Sequence, residues 1–335
     1  MRVFKVLFLY VIAVSLVFPT VGSAASSEPI KLRLGTMVVA ANPIAHGAKY
    51  FAERMHKETN GRVQIDVFTD AALGSHGQMY ESMKEGVLDM CTNSPILLGP
   101  YIPEYQIYEL PYIFQSREHR DAVVNGPVGE KIDKLIGELG GVKILSNFGG
   151  APRNLITRNK KVETLNDAKG IQIRIGFGPI QKATWEDLGL YPISVSWGEA
   201  YTAFQTGVAD AGEVESAALY DAKWYESLKY VNFSEHIIIV RPLLIAKRVF
   251  DKLPPDIQKL MVEIGKETTE YEAKLSNEND KIIEDKLAKN GMEFVEIKDK
   301  KEWIKATEKV RRDFIDKYKL NDIYDEILKV AEELN

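Results

Sequence analysis

LRLGTMVVAANPIAHGAKYFAERMHKETNGRVQIDV, residues 32–67, carries the change of period that decides the fold class. Val63, Ile65 and Val67 alternate with Gln64 and Asp66, so the apolar side chains fall on one side of an extended chain. Leu32–Val38 reads as a second strand. Between the two, Ile44–Thr59 has helical spacing and ends at Asn60-Gly61, a helix stop signal. Strand, helix and strand within about forty residues argue for an α/β fold.

The same junction recurs twice further on. Met79–Glu85 reads as a helix that Gly86 stops before a strand from Val87. Tyr201–Thr206 reads as a helix that Gly207 stops before Val208-Ala209-Asp210-Ala211. The shared Gly-Val-x-Asp core points to two lobes of similar plan. From Pro254 to Asn290 the chain is nearly free of breakers, so it forms one long helix, or two with a break near Asn277-Glu278-Asn279. A short strand at Phe294–Ile297 and two amphipathic helices close the chain.

Composition narrows the function. Apolar residues at 45% and charged residues at 27% are a globular balance. The net charge is 43 − 48 = −5, or −7 once Arg2 and Lys5 are removed with residues 1–24. Such a surface gives no reason to expect nucleic acid or anionic lipid as partner. Residues 1–24 read as a signal peptide: Arg2 and Lys5, an apolar run from Val6 to Phe18, Pro19, then Gly22-Ser23-Ala24. No cysteine follows that run, so no lipid anchor is expected. The expectation is a periplasmic chain that does not span the membrane once cleaved near Ala24. Ile237–Ala246 is strongly apolar, but Arg241 interrupts it, and it reads as buried strand. The single cysteine, Cys91, cannot form an internal disulfide and reads as core.

Catalytic motifs are missing. His46, His56, His76, His119 and His236 are not spaced as zinc ligands. There is no nucleophile elbow and no phosphate loop. Gly176-Phe177-Gly178 follows a strand, but Gln181 stands where a dinucleotide fingerprint needs glycine. No cofactor, metal or enzymatic activity is expected. What stands out is Gly170-Ile171-Gln172-Ile173-Arg174-Ile175, where Gln172 and Arg174 share the face opposite the isoleucines. Arg174 is either an exposed strand residue or a ligand residue at a strand's C-terminal end, where open α/β sheets bind ligands. Its planar fork suits a carboxylate.

At this point the chain resembles the DctP-type substrate-binding proteins of tripartite ATP-independent periplasmic (TRAP) transporters. The likeness covers nearly the whole chain after residue 24 and is strongest from Pro152 to Tyr225. It is carried by Arg153, by Lys169-Gly170-Ile171-Gln172-Ile173-Arg174, by the run Glu199 to Asp210, and by Lys223-Trp224-Tyr225-Glu226. Phe68 to Gly74, Leu110 to Phe114 and Gly126 to Gly129 add landmarks in the first half. The resemblance implies a two-lobed periplasmic-binding-protein-like fold, with crossing strands, a long C-terminal connecting helix and a ligand cleft between lobes. Lobe I would be 28–150 plus about 240–280, and lobe II 151–239 plus about 281–335. It further implies that a small organic acid is bound by lobe closure and delivered to the transporter's membrane subunits, with no chemical step. The alternatives are a binding protein serving a sensor, or a secreted enzyme on a similar fold.

The resemblance also supplies candidate site residues. Arg174 would bind the ligand carboxylate, Arg153 would assist, Trp197 would pack against the ligand, and Glu213 would orient Arg174. Asn42, Asn93 and Phe148 are further implied cleft residues. Val214 stands where many relatives have Asn. Valine beside the carboxylate site leads to the expectation of an acid with an apolar or aromatic portion, not a heavily hydroxylated sugar acid.

Overall fold

In the computed structural model, which describes residues 28–334, the opening stretch folds as its period predicts; the expected signal peptide lies outside the described residues. β1 (Ile30–Gly35) and β2 (Val63–Phe68) run parallel, with the helix Pro43–Glu58 between them. The helix His76–Glu85 leads on to β3 (Met90–Thr92), on the other side of β1. β4 (Val142–Thr157) then crosses the molecule. The plan repeats with β5 (Gln172–Ile175), β6 (Tyr191–Ser194) and β7 (Ala211–Val214), β5 lying between the other two. β8 (Tyr230–Ala246) crosses back, and β9 (Glu293–Val295) pairs with it.

The order β2-β1-β3-β8-β4-β7-β5-β6 therefore holds two parallel three-stranded sets joined by one long antiparallel pair. The junction seen twice in the sequence is real. Gly86 and Gly207 sit at φ +90° and +78°, a left-handed conformation that glycine adopts without a Cβ clash. The strands that follow begin at Met90 and Ala211, later than the valines suggest; Val87 and Val208 are exposed.

Strand direction locates the cleft. β3 is antiparallel to β8, β7 is antiparallel to β4, and β4 and β8 are antiparallel to each other. The two parallel sets therefore point in opposite senses. Thr92, the last residue of β3, pairs with Leu243, and Val214, the last of β7, pairs with Asn154. The C-terminal ends of both sets thus converge on the middle of the crossing pair, where Phe148 pairs with Arg241 and Arg153 with Ile237. A register shift between Gly149 and Pro152 interrupts the pairing there.

The long segment forms one helix of 35 residues, Pro255–Lys289, with no break at Asn277. Ile257, Met261 and Ile264 pack under the first half, Ile283 and Leu287 under the second. The last helix, Asn321–Leu334, departs from the expected division. Val310, Phe314, Ile315, Tyr324 and Ile327 join an apolar cluster that holds Val123, Ile132 and Ile136 of the first half and Ile180 of the second. The ring Nε2 of His119 meets the Ile327 carbonyl at 2.8 Å. Of the expected 281–335 of lobe II, Met292 and Trp303 pack with the second half, the helix Glu308–Tyr318 packs with both halves, and the helix Asn321–Leu334 packs with the first.

Glu272 ties the long helix to the crossing strands. Its carboxylate accepts from the Gly149 N–H at 2.8 Å and the Ser276 hydroxyl at 2.6 Å, and the residue is fully buried. Burial pushes this carboxyl up to about 7; the Ser276 and Gly149 bonds and Arg120 oppose the rise, and Asp280 adds to it. The folded chain therefore holds this proton over a range where the unfolded chain has released it. Stability falls as pH rises from about 4.5 to about 7, by up to about 3 kcal/mol from this group, and is level above. Glu272→Gln keeps an acceptor for Gly149 and removes the titration. Denaturant unfolding at pH 5 and pH 8 should show a smaller loss in the variant than in the wild type; equal losses contradict the assignment.

Candidate functional site

Arg174 is the next-to-last residue of β5, near where the parallel strands of the second half end, and it is 4% exposed. A buried guanidinium needs acceptors. Its Nε and Nη2 both donate to the Val195 carbonyl, at 2.9 and 2.7 Å. Its Cζ lies 5.7 Å from the Trp197 ring centroid and 5.8 Å from that of Trp224, a cation beside two indoles whose centroids are 5.0 Å apart. Trp224 is wholly buried; Trp197, the first residue of the helix Trp197–Thr206, is 47% exposed. Burial pulls the Arg174 guanidinium down to about 10, with Glu213 opposing and Arg153 adding, so it stays charged at neutral pH.

Arg153 on β4 is held differently. Its Nε and Nη2 donate to the two carboxylate oxygens of Glu213, at 2.5 and 2.7 Å, and Nη2 also reaches the Glu213 carbonyl at 3.0 Å. Gln181 donates to the same carboxylate at 2.8 Å, and His236 Nε2 lies 3.3 Å from it. Burial alone would raise the Glu213 carboxyl; Arg153 and His236 outweigh it and hold the group well below the usual carboxylate range. This is a two-point ion pair with further bonds to the carboxylate, the arrangement that makes a buried pair tolerable. Glu213 was expected to orient Arg174. It holds Arg153 instead, because alternate residues of β7 face opposite sides. Gly212 and Val214 face Phe204 and Trp224, while Glu213 faces away from them.

A third arginine was missed. Arg241 stands midway along β8 and faces the converging strand ends. Its Nη1 donates to the Ser94 hydroxyl at 3.1 Å, and its Nη2 lies 4.0 Å from Glu215. Ser94 also reaches the buried Glu109 carboxylate at 3.4 Å. The signal was present in the sequence: one charge in the run Ile237–Ala246, used there only against a membrane span.

Other expected cleft residues lie elsewhere. Phe148 is fully buried in the apolar cluster with Phe51, Leu145 and Leu243. Asn93 is fully buried, donating to the His76 carbonyl and accepting from the Ser94 N–H. Val214 is 1% exposed, packed with Ile156, Phe204, Leu219 and Trp224. Its valine is explained by core packing, so the expected apolar wall beside a ligand loses its premise. Asn42 caps the helix Pro43–Glu58, accepting from the Ile44 N–H at 3.0 Å, and hydrogen-bonds Asp221 of the second half. The structure thus brings Arg174 to Trp197 on one side of β7 and Arg153 to Glu213 on the other, and it buries Phe148, Asn93 and Val214. Two surface grooves, one along Arg158, Tyr201 and Lys229 and one along Asp133, Lys143 and Thr269, share none of these residues. Among the described residues there is no cluster of acids, histidines or cysteines able to hold a metal ion, and no helix long and apolar enough to cross a membrane.

Comparison with known proteins agrees with this geometry. Residues 34–317 match the family model of bacterial extracellular solute-binding protein, family 7 (DctP). A solute-binding protein of Roseobacter denitrificans is 31% identical over 287 residues, 85% of this chain and 87% of the relative. A TRAP periplasmic solute-binding protein of Bradyrhizobium, solved in complex with D-galacturonate, superposes with a TM-score of 0.83 at 27% identity, over 89% of this chain and 99% of that one. A second, from Pseudomonas putida with bound D-glucuronate, gives 0.83 at 26% identity, over 89% and 96%.

Proposed function

The chain belongs to family 7 of the bacterial extracellular solute-binding proteins, and on that premise we propose that it captures a hydroxylated carboxylate, a hexuronate, and delivers it to the membrane subunits of a TRAP transporter. Export through residues 1–24 to the periplasm is part of the same reading. One observation carries the ligand assignment. Of the three arginines where the strand ends converge, Arg174 alone has no carboxylate partner among the described residues. Arg153 is paired to Glu213, and Arg241 faces Glu215. A ligand carboxylate is therefore the counter-ion for Arg174, reached through the Nη1 edge that the Val195 carbonyl leaves open. Trp197 offers an aromatic face beside it, suited to the C–H face of a sugar ring. The Pseudomonas and Bradyrhizobium relatives hold hexuronates, and the core position of Val214 removes the argument against a polyhydroxylated acid.

Recognition needs no chemical step. The ligand touches both halves only when they close, so it stabilises the closed form. A thermal-shift screen of hexuronates, four-carbon dicarboxylates and aromatic acids tests the class. A hexuronate at about one hundred times its dissociation constant should stabilise the fold by about 2.7 kcal/mol. A larger shift with an aromatic acid or a dicarboxylate would overturn the hexuronate assignment.

A further inference from the structure

We propose that Arg241 is a specificity-determining residue that reads the hydroxyl-bearing end of the bound acid, with Glu215 as its acceptor partner; the inference rests on the hexuronate reading above. Position is the first ground. β3 ends towards Ser94 from one half and β7 ends towards Glu215 from the other, and Arg241 lies on the crossing strand between them. The 241, 243, 245 alternation puts it on the face of Leu243 and Ile245, which pack with Phe51 and the long helix. It therefore touches both halves at once: Ser94 on one side, Glu215 on the other.

Unfinished bonding is the second ground. A guanidinium has five N–H donors in a planar fork. Among the described residues Arg241 makes one hydrogen bond, to Ser94, and its contact with Glu215 at 4.0 Å is too long to be a second. Glu215 Oε2 is buried and has no hydrogen-bond partner among the described residues. Arg241 Nη2 and Glu215 Oε1 thus lie 4.0 Å apart with no hydrogen bond between them, and the second oxygen of the same carboxylate is unpartnered among the described residues.

Charge is the third ground, and it selects the ligand group. Arg174 has no acid in hydrogen-bond contact, so it is the seat for an anion. Arg241 has Glu215 beside it and Glu109 one hydroxyl away through Ser94. A second ligand carboxylate there would meet like charge. Adjacent hydroxyls would not: each can accept from the guanidinium and donate to the carboxylate. The two arginines thereby divide the ligand, carboxylate at Arg174 and hydroxyls at Arg241.

Isothermal titration of wild type, Arg241→Met and Arg241→Lys decides the matter, using D-glucuronate, D-galacturonate and cyclohexanecarboxylate, a ring acid without hydroxyls. Arg241→Met should weaken the better hexuronate by about 30-fold. Cyclohexanecarboxylate, however weakly it binds, should change by less than about threefold. The preference between the two epimeric hexuronates should shrink, an effect that a purely structural role would not produce. Arg241→Lys keeps the charge and a fold close to wild type but loses the fork, and should weaken the hexuronate by about tenfold. Unchanged hexuronate affinity in both variants, or equal weakening of all three acids, overturns this inference and leaves the hexuronate reading intact. A wild type that binds neither hexuronate overturns both.

Discussion

Arg174→Ala should lose ligand binding by about 2–5 kcal/mol, a factor of roughly 30 to several thousand in the dissociation constant. The cause is the cost of closing the halves on a carboxylate with no cation to meet it. Arg241 and Arg153 cannot substitute, since one faces Glu215 and the other is bonded to Glu213 at two points. Arg174→Lys should recover little. A lysine brings a point charge where the site has a planar group against Trp197 and Trp224 with two donors on the Val195 carbonyl. Titration calorimetry on both variants checks this, with circular dichroism to establish the fold. Near-wild-type affinity in Arg174→Ala would remove Arg174 from the site.

Glu213→Ala is expected to act on folding before binding, costing about 3–5 kcal/mol. The substitution leaves the Arg153 guanidinium buried without its counter-charge, and strips Gln181 and His236 of their acceptor. Removing both charges should do less harm: Arg153→Met with Glu213→Leu leaves neither partner's charge buried alone, and buried pairs replaced by apolar residues are often near neutral. Urea unfolding of the singles and the double, read as a cycle, measures the coupling. If Glu213→Ala unfolds within about 1 kcal/mol of wild type, the pair does not have the structural role given to it here.

Much of the fold was legible because it rests on local signals. The alternation at 63–67, the helix ending at Asn60-Gly61 and the glycines at 86 and 207 each report their own conformation. The continuity of Pro255–Lys289 was not legible, because Asn277 and Asn279 are poor helix formers that a tertiary contact can override. Here Arg117 bonds both Asn277 and Asp280 from outside. The placement of the last helix depends on which half offers an apolar surface, and nothing local encodes that.

The site was legible in part for a similar reason. Period-2 spacing says that Glu213 and Val214 face opposite ways, but not which of them faces Arg174. Val214 and Gly212 share Arg174's side, and Glu213 lies across the strand with Arg153. Arg241 carries the same signal as Arg174, a cation in an apolar strand, but was not read that way. Its importance depends on where β3 and β7 end, a fact of topology that strand-level reading does not reach.

Small-angle scattering of the chain with and without its preferred hexuronate tests the central claim most directly, because closure about a carboxylate is what the converging strand ends and Arg174 together require. The radius of gyration should fall saturably as ligand is added to the wild type, and should not change for Arg174→Ala at the same concentrations. A radius unchanged at saturating ligand, or the same fall in Arg174→Ala, would contradict the account.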